Sequence, residues 1–300
     1  MKNYILCYHG VAEDSDFKYN LNLNKNGKHI KIDSFYSQMK FLFKTKNVVS
    51  VNDLKLNRNL KEENVVITFD DGFKNNLNAI EILDKFKLPA ILYLTIGNLL
   101  EKKMFWVDII EDFIYSNQNF TNSLQLDDTI YMINNDENKY HSLLKIKFKL
   151  KRMLKSKRDL FISSLFSKYN YKPNTDYPLY KLLSVNDIKK INKNPLFTIG
   201  GHTLYHDPMT TFDCTEDLIK DTFQTIKHLE HITGEKIDNY SYPEGISDFY
   251  SKKTSQILKN HDVLFCPTAD FGINKKLIFP NYNAKRILVG FENITFPFQF

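Results

Sequence analysis

Short apolar runs alternate with amphipathic runs in the first third of the chain. Apolar residues at helical spacing predict helices at 32–45, "IDSFYSQMKFLFKT", and at 75–86, "NNLNAIEILDKF". Buried strands are predicted where Val, Ile and Leu are concentrated, at 4–9, 47–51, 64–71 and 89–97. Buried strands separated by helices are typical of a parallel sheet with crossover helices.

The middle of the chain, from about residue 104 to 195, has mostly helical periodicity and is rich in Lys, Phe and Asn. We interpret it as an insertion or a helical layer on the side of the α/β body. Within it, Ser184 is the expected N-cap of a helix, with Asp187 three residues later in a capping box. Phe105 and Trp106 either form an aromatic edge for a sugar ring or pack in the core.

The alternation of strands and helices resumes after residue 195. Strands are predicted at 196–203, 237–245, 263–269 and 284–291, and helices at 214–234 and 250–261. About seven strand–helix units suit a (β/α) barrel better than an open sheet, and residues 1–300 would then form one domain. In such barrels the chemistry lies at the carboxyl ends of the strands, so polar motifs should follow the apolar runs.

The charge of the chain is mildly positive. Lys and Arg number 41 against 35 Asp and Glu, a net charge of +6, and much of the excess lies in "KIKFKLKRMLKSKR", residues 145–158. That run is either a solvated helix face or a surface that meets an anionic partner such as lipid phosphate or an acidic glycan. No nucleic-acid recognition motif accompanies it, so nucleic acid is not an expected partner.

The expected location is the cytoplasm, with peripheral membrane contact through the basic run as an option. The first predicted strand begins at residue 4, which leaves no room for a leader, and the longest apolar stretch, 88–100, is too short to span a bilayer. Cys7, Cys214 and Cys266 are odd in number and lack C-x-x-C spacing, which favours a reducing compartment.

Two adjacent carboxylates, Asp70 and Asp71, stand at the end of the strand predicted at 64–71. Burying the carboxylates of Asp70 and Asp71 after a buried strand is energetically unfavourable unless they are paired or bind a cation. In a regular strand they would point to opposite faces, and Gly72 permits a turn that aims both at one site. The alternative is that Asp71 caps a helix that starts near Phe73.

A second polar motif follows the strand predicted at 196–203. His202 and His206 have i, i+4 spacing, which on one helical turn puts both imidazoles on the same face, as in zinc-binding helices. Combined with a carboxylate from another strand end, the pair predicts a metal site with open positions for water and substrate. A third motif, "NYSYPEG" (239–245), is either a simple turn or a loop that presents a backbone N–H to the site.

Together these motifs resemble those of a known family. "TFDDG" (68–72), "HTLYH" (202–206) and "YPEG" (242–245), in that order, are similar to the first three motifs of the polysaccharide deacetylases, carbohydrate esterase family four. The resemblance covers residues 1 to about 95 and 195 to about 290. It implies a distorted (β/α)7 barrel, here with a helical insertion, and metal-dependent removal of N- or O-acetyl groups from sugars.

The resemblance also assigns roles to individual residues. Asp70 would be the general base, and the metal ligands would be Asp71, His202 and His206. The substrate-facing loop, which supplies a backbone N–H to the oxyanion, would be Tyr242, Pro243 and Glu244. Thr203 would support the loop between the histidines by a hydrogen bond. The ligand set suits Zn²⁺, and Co²⁺, Ni²⁺ or Mn²⁺ would also fit.

Two departures from the family pattern bear on the site. Glu244 stands where the third motif usually has an aromatic residue, which leaves the pocket shape and the substrate open. The Arg that usually orients the base is missing between Asp238 and Ser241. Arg286 either takes its place beside Asp70 or makes a plain surface or structural ion pair.

The mechanism also needs a general acid to protonate the leaving amine. The family's usual C-terminal His is absent, because no His follows His261. His9 ends the first strand, which in a barrel neighbours the last. The chain resembles the branch with an opening Tyr-His motif, seen in poly-N-acetylglucosamine deacetylases of biofilm loci. His9 is thus a candidate acid or substrate-positioning group, with a core histidine as the alternative.

The sequence therefore predicts a metal-dependent N-deacetylase acting on an N-acetylated sugar of a bacterial surface glycan, or on a lipid- or nucleotide-linked precursor. An O-acetyl esterase or a non-sugar amidase on the same scaffold is the second hypothesis, because Glu244 leaves room for it. The third is a catalytically silent glycan-binding module, against which the intact acidic and histidine residues argue. The sequence does not predict an oligomeric state.

Overall fold

The structure is a computed structural model that describes residues 1–18, 23–116, 122–126 and 128–299. Its strands are β1 (Lys2–Tyr8), β2 (Gly10–Ala12), β3 (His29–Lys31), β4 (Asn47–Val48), β5 (Glu63–Phe69), β6 (Ala90–Leu94), β7 (Ser123–Leu126), β8 (Thr129–Met132), β9 (Phe197–Gly201) and β10 (Ile287–Leu288). Its helices are α1 (Asp14–Phe17), α2 (Ile32–Thr45), α3 (Val51–Leu56), α4 (Asn76–Phe86), α5 (Ile96–Glu101), α6 (Trp106–Ser116), α7 (Asp136–Lys151), α8 (Lys155–Lys168), α9 (Val185–Asn192), α10 (Thr215–Thr233) and α11 (Lys252–Asn260). Short 3₁₀ turns lie at Pro178–Tyr180 and Phe291–Asn293.

The central sheet is parallel, with the strand order β10-β1-β5-β6-β9, and β4 pairs with the start of β5. Beyond β9 the ring continues through single parallel bridges that join Gly201 to Tyr240, Asn239 to Phe265, and Phe265 to Asn281. The chain after Asn281 leads into β10, which pairs with β1. Within the described residues, seven parallel segments thus surround the core, and the predicted distorted (β/α)7 barrel is confirmed. The distortion lies where single bridges replace full ladders.

The inner strands are buried on both faces, which is why they read as nearly continuous apolar runs. Every residue of β6 is buried, as are the carboxyl-terminal halves of β1 and β5. Strand β9 ends in Gly200 and Gly201, where a Cβ would lie 2.6 Å from the Tyr93 ring and 2.5 Å from the Tyr240 ring. The two glycines therefore leave the space that these rings occupy.

A second core lies in the helical segment, residues 104–195. Buried side chains from α6, α7, α8 and the β7–β8 hairpin form it, among them Phe113, Leu124, Ile146 and Leu165, together with Phe105 just before α6. Phe73 belongs to the same cluster, so the segment packs on the turn that follows β5. None of the described helices combines the length and the apolarity needed to cross a membrane.

The helical segment differs from its sequence prediction in two respects. It contains the antiparallel hairpin β7–β8 in addition to helices. Helix α9, which falls inside the predicted insertion, packs into the barrel core through Ile188 and Ile191. The capping box predicted at its start is confirmed, because Ser184 accepts the Asp187 N–H and Asp187 accepts the Ser184 N–H.

Several predicted strands are shorter in the structure. The strands predicted at 89–97 and 196–203 are trimmed at their ends, the one at 284–291 is reduced to Ile287–Leu288, and the one at 237–245 to bridges at Asn239 and Tyr240. The strand predicted at 47–51 stops at Val48, because the Ser50 side chain accepts the Asp53 N–H and begins α3. The strand predicted at 263–269 is reduced to bridges at Phe265.

Gly201→Ala tests the close packing at the end of β9. The added Cβ would overlap the Tyr240 ring, so we expect the free energy of unfolding to fall by about 1–3 kcal/mol. Gly234→Ala is the control, because nothing lies within 4 Å of a Cβ there and only the left-handed backbone, at φ of 73°, opposes it. That costs about 1 kcal/mol. Urea unfolding measures both losses, and a Gly201→Ala loss smaller than the control's would contradict the packing argument.

Candidate active site

The polar motifs meet at the carboxyl ends of the barrel strands, in a cavity of about 460 Å³ next to the helical segment. A cavity of this size accommodates a small ligand. The predicted site residues that line it are His9, Asp70, Asp71, His202, His206, Tyr242, Glu244 and Arg286. The other two, Thr203 and Pro243, are buried residues that directly follow lining residues in the chain.

Asp70 and Asp71 both reach this cavity although they are neighbours in the chain. Asp71 has a φ of 76° and Gly72 a φ of 91°, so the chain turns sharply after β5. The next helix, α4, starts at Asn76, so Asp71 does not cap it. Of the two interpretations that the sequence allowed, the structure has the turn that aims both carboxylates at one site.

Asp71, His202 and His206 lie close enough together to share a metal ion. Asp71 Oδ1 is 3.4 Å from His202 Nε2 and 3.2 Å from His206 Nε2. Two ligands of a tetrahedral zinc ion, with bonds of about 2.0–2.1 Å, are about 3.3 Å apart, so these separations fit. Asp71 Oδ1 is also buried without a hydrogen-bond partner among the described residues, as expected of an oxygen that serves a cation.

The surroundings of His202 and the ionisation of Asp71 suit the same purpose. His202 Nδ1 lies 2.9 Å from the Ser241 carbonyl oxygen, which can only accept, so Nδ1 is the donor in this contact and Nε2 is the nitrogen that faces Asp71. Burial alone would raise the pKa of Asp71, but His206 and His202 outweigh burial and hold that pKa well below its usual value. Asp71 is therefore ionised, as a metal ligand must be.

His202 and His206 lie in a loop, whereas their spacing had suggested a helical turn. In this histidine loop, residues 202–207, Thr203 has a φ of 56° and His206 a φ of 58°. Left-handed residues cannot continue a right-handed helix, so the loop folds back within four residues. Thr203 Oγ1 accepts the Asp207 N–H at 3.1 Å, which is the kind of loop support that the family resemblance implied.

Arg286 holds Asp70 through two parallel contacts. Nη1 lies 2.8 Å from Oδ1 and Nη2 lies 2.7 Å from Oδ2, and the Ser241 hydroxyl is 3.0 Å from Nη2 and 3.3 Å from Oδ2. Both partners are buried. Burial alone would raise the pKa of Asp70, but Arg286 and His202 outweigh burial and keep that pKa below its usual value. Asp70 thus has the ionised form that a general base needs.

His9 lies at the end of β1 and faces the same cavity. One of its ring nitrogens is within 4.8 Å of an Asp70 carboxylate oxygen. Its ring stacks on Phe291 with the centroids 5.4 Å apart. Burial lowers the pKa of His9 in spite of the nearby carboxylates of Asp71 and Asp70, so the imidazole is neutral at pH 7.

The helical segment supplies one wall of the cavity through α6 and α7. The lining residues from these helices include Asp108, Glu111, Tyr115, Tyr140, Lys147, Phe148 and Lys151. Lys147 Nζ pairs with Glu111 at 2.7 Å, and Lys151 Nζ pairs with Glu244 at 2.5 Å. Part of the basic run therefore lines the cavity. One interpretation of the sequence had placed the whole run on a solvated helix face.

Phe105 and Trp106 pack against His206. The Phe105 ring centroid is 5.3 Å from that of His206, and Trp106 Nε1–H donates to the His206 carbonyl oxygen at 3.2 Å. Both aromatic residues belong to the second core. Of the two interpretations of this pair, packing in the core is the one that the structure has.

Comparison with known proteins agrees with this geometry. The polysaccharide deacetylase family profile matches residues 57–265. The chain belongs to the polysaccharide deacetylase family. The resemblance inferred from the three motifs is thereby confirmed, and the family groups the protein with hydrolases that act on the amide bonds of N-acetylated sugars.

Solved deacetylase structures share the fold at low sequence identity. A polysaccharide deacetylase from Bacillus cereus has a TM-score of 0.60 and 17% identity, and the match covers 98% of this chain and 66% of that chain, so this chain spans about two thirds of its length. A de-N-acetylase from Aggregatibacter actinomycetemcomitans has a TM-score of 0.61 and 15% identity, covering 99% and 97%. The Streptococcus pyogenes deacetylase PplD in complex with acetate has a TM-score of 0.59 and 16% identity, covering 98% and 95%. A search of curated proteins finds no match.

Several residues of the deacetylase site were not found from the sequence. Ser241 places its hydroxyl between the base and its arginine. Lys151, which pairs with Glu244, and Arg158, which donates to Asp207 of the histidine loop, come from the helical segment. No local pattern there marks a side chain that meets the site only in three dimensions. Asp207 did carry a signal, because it directly follows the second histidine of the "HTLYH" motif.

Arg286→Met should lower the free energy of unfolding by about 3–5 kcal/mol, because it leaves the buried Asp70 carboxylate without its cation. Lys285→Met, at the exposed neighbouring position, is the matched control. Adding Asp70→Asn to Arg286→Met removes the unpaired charge and should recover a large part of the loss. Urea unfolding of the metal-free proteins measures these changes, and a double variant no more stable than Arg286→Met would speak against the charge pairing.

Proposed function

We propose that this protein is a metal-dependent deacetylase that removes an N-acetyl group from a sugar of a bacterial surface glycan or its precursor. One observation carries the proposal, namely that the Asp71–His202–His206 cluster and the Asp70–Arg286 pair share a cavity. In this proposal the whole chain acts as one domain, and the helical segment is an insertion that walls the cavity.

Asp71, His202 and His206 would hold the metal, for which zinc is the best match and cobalt, nickel and manganese are also compatible. Bound there, a divalent metal supplies polarisation of the acetyl carbonyl and a water molecule of lowered pKa. Tyr242, Pro243 and Glu244 lie on the substrate side, where a backbone N–H of this stretch would hold the developing oxyanion.

Asp70 takes the proton of the attacking water. The guanidinium of Arg286 contacts both carboxylate oxygens, so a proton can be accepted only on a lone pair directed away from the arginine. This contact fixes the side from which water approaches. It also keeps the base ionised between turnovers, because the pKa of Asp70 lies below its usual value.

His9 donates a proton to the leaving amine or positions the substrate. Because its resting imidazole is neutral, the acid role requires that His9 first receive the proton that Asp70 has taken. The two side chains approach within 4.8 Å, a distance that one bridging group can span. The proton balance then closes, since water loses the proton and the amine gains it.

The esterase and amidase alternatives differ from the proposed function in the bond that is cleaved, and the glycan-binding module cleaves none. An O-acetyl esterase or a non-sugar amidase could use the same base and metal, and Glu244 makes the cavity more polar than an aromatic residue would. Two structural neighbours, a de-N-acetylase and a deacetylase in complex with acetate, support acetyl removal and favour the amide. A silent glycan-binding module would have no use for an ionised base beside a metal site.

If the protein acts in the cytoplasm, its substrate would be a lipid- or nucleotide-linked sugar, and the basic run would then lie near a membrane surface. Lys145 of that run is exposed. Lys147, Lys151 and Arg152 instead form ion pairs within the protein, so fewer cations are available to lipid phosphate than the sequence alone suggests.

The decisive experiment compares metal content and acetate release between the wild type and His202→Ala/His206→Ala. We expect about one metal ion per wild-type chain and acetate from N-acetylglucosamine oligomers, with both lost in the variant, because two of the three ligands are gone. His228→Ala/His231→Ala, at two exposed histidines of α10, is the matched control and should behave as wild type.

The outcomes separate the candidate functions. Acetate from O-acetyl but not N-acetyl sugars would replace the deacetylase with the esterase. Metal binding without acetate release from either the N-acetyl or the O-acetyl sugars would support the metal site but reject the proposed substrate. No metal after reconstitution with zinc or cobalt would reject the mechanism.

Lys151→Met should lower kcat/KM about tenfold, which corresponds to about 1.4 kcal/mol, mainly through KM. Lys151 keeps the pKa of Glu244 below its usual value although burial would raise it, and the variant would lose this cation. It would also lose the ion pair that connects helix α7 in the cavity wall to Glu244 in the third motif. Lys145→Met, exposed on the same helix, is the control.

Glu244→Gln should lower kcat/KM less in the Lys151→Met background than in wild type, because the effects of substitutions at residues in contact are not additive. Additive losses would contradict the pairing.

A further inference from the structure

The backbone of the histidine loop needs support from outside the loop. Thr203 and His206 are non-glycine residues in the left-handed region, a conformation that persists only where the surroundings hold it. The barrel supports the first half. Tyr240 Oη accepts the Thr203 N–H at 2.8 Å, and the side-chain oxygens of Asp221 accept the Leu204 N–H at 3.2 and 3.3 Å.

The helical segment supports the second half of the loop. Trp106 Nε1–H donates to the carbonyl oxygen of His206 at 3.2 Å, and Phe105 packs on the His206 ring. Arg158 donates to the carboxylate of Asp207, the residue after the ligand, and both of these side chains are almost completely buried, with 1% and 0% exposed.

The two supports from the helical segment also contact each other. The Arg158 guanidinium carbon lies 4.5 Å from the centre of the Trp106 ring, within range of a cation–π interaction. Trp106 begins α6 and Arg158 lies in the first turn of α8, so two helices hold the loop from one side. The start of α8 is itself tied to the chain beyond the loop, because the Ser156 N–H donates to Asp213 at 2.9 Å.

We propose that Trp106 and Arg158 are positioning residues of the metal site, through which the helical segment keeps His206 Nε2 at its distance from Asp71. The inference rests on the proposed function, since it takes Asp71, His202 and His206 as metal ligands. The segment then has a role in the reaction centre that is separate from its contribution to the cavity wall.

Charge and position predict opposite results when Arg158 is removed. Loss of a nearby positive charge, and release of the Asp207 carboxylate, would strengthen the binding of a cation by Coulomb's law. Loss of position would weaken binding, because His206 would no longer be held near Asp71. The direction of the change in metal affinity therefore distinguishes the two effects.

The test measures the dissociation constants of Co²⁺ and Zn²⁺ for the full chain, by competition with a chromophoric chelator. We expect Arg158→Met and Trp106→Phe to weaken metal binding about 10–100-fold, the range typical for groups that hold metal-binding histidines. The visible absorption of bound Co²⁺ should shift in both, because it reports the arrangement of the ligands. Lys157→Met, exposed on the same helix, should leave affinity and spectrum unchanged.

Two further variants keep the test independent of folding. Arg158→Lys retains the cation and should recover part of the affinity. After the loss of Arg158, Asp207 keeps the more distant Lys155 ammonium, at 3.5 Å. Arg158→Met/Asp207→Asn removes this buried carboxylate that has lost its direct partner, and it should fold but still bind metal weakly. Wild-type affinity in this double variant, or in Trp106→Phe, would overturn the inference. Failure of the wild type to bind metal would instead overturn the proposed function, before any variant is compared.

Discussion

Two buried carboxylates at the end of one apolar strand impose the main requirement on this fold. Asp70 and Asp71 are each only 4% exposed, and a buried carboxylate is strongly unfavourable unless a cation or several donors face it. Asp70 meets the guanidinium of Arg286, which lies next to β10, and Asp71 meets two imidazoles from the loop after β9. The barrel has to bring these segments to the same end of β5, so closing the barrel and completing the site are one physical problem.

Features that depend on neighbouring residues could be predicted from the sequence. The apolar runs of β1, β5 and β6 identify buried parallel strands, and Ser184 with Asp187 marks the start of α9. Gly234, in the left-handed conformation, ends α10 as its position in the sequence suggested. The three motifs identified the family because their residue types and order are distinctive even without structural context.

Features that depend on distant residues could not be predicted in the same way. The spacing of His202 and His206 suggested a helical turn, but the positive φ of Thr203 is supported by the hydroxyl of Tyr240 from another barrel segment. Likewise, the alternating lysines of α7 look like a solvated face until their acidic partners are known. Two of them, Lys147 and Lys151, face the cavity because Glu111 and Glu244 lie there.

The pairing of β1 with β10 has a consequence for the order in which the protein becomes active during synthesis. Leu6 pairs with Ile287, so the first strand waits for a segment that is synthesised about 280 residues later. Contacts of such long sequence separation form late, because the loop between them must first be closed. Until Arg286 has left the ribosome, Asp70 lacks its guanidinium partner. A nascent or prematurely terminated chain can therefore carry Asp71, His202 and His206 and still lack the Asp70–Arg286 pair on which the proposed reaction depends.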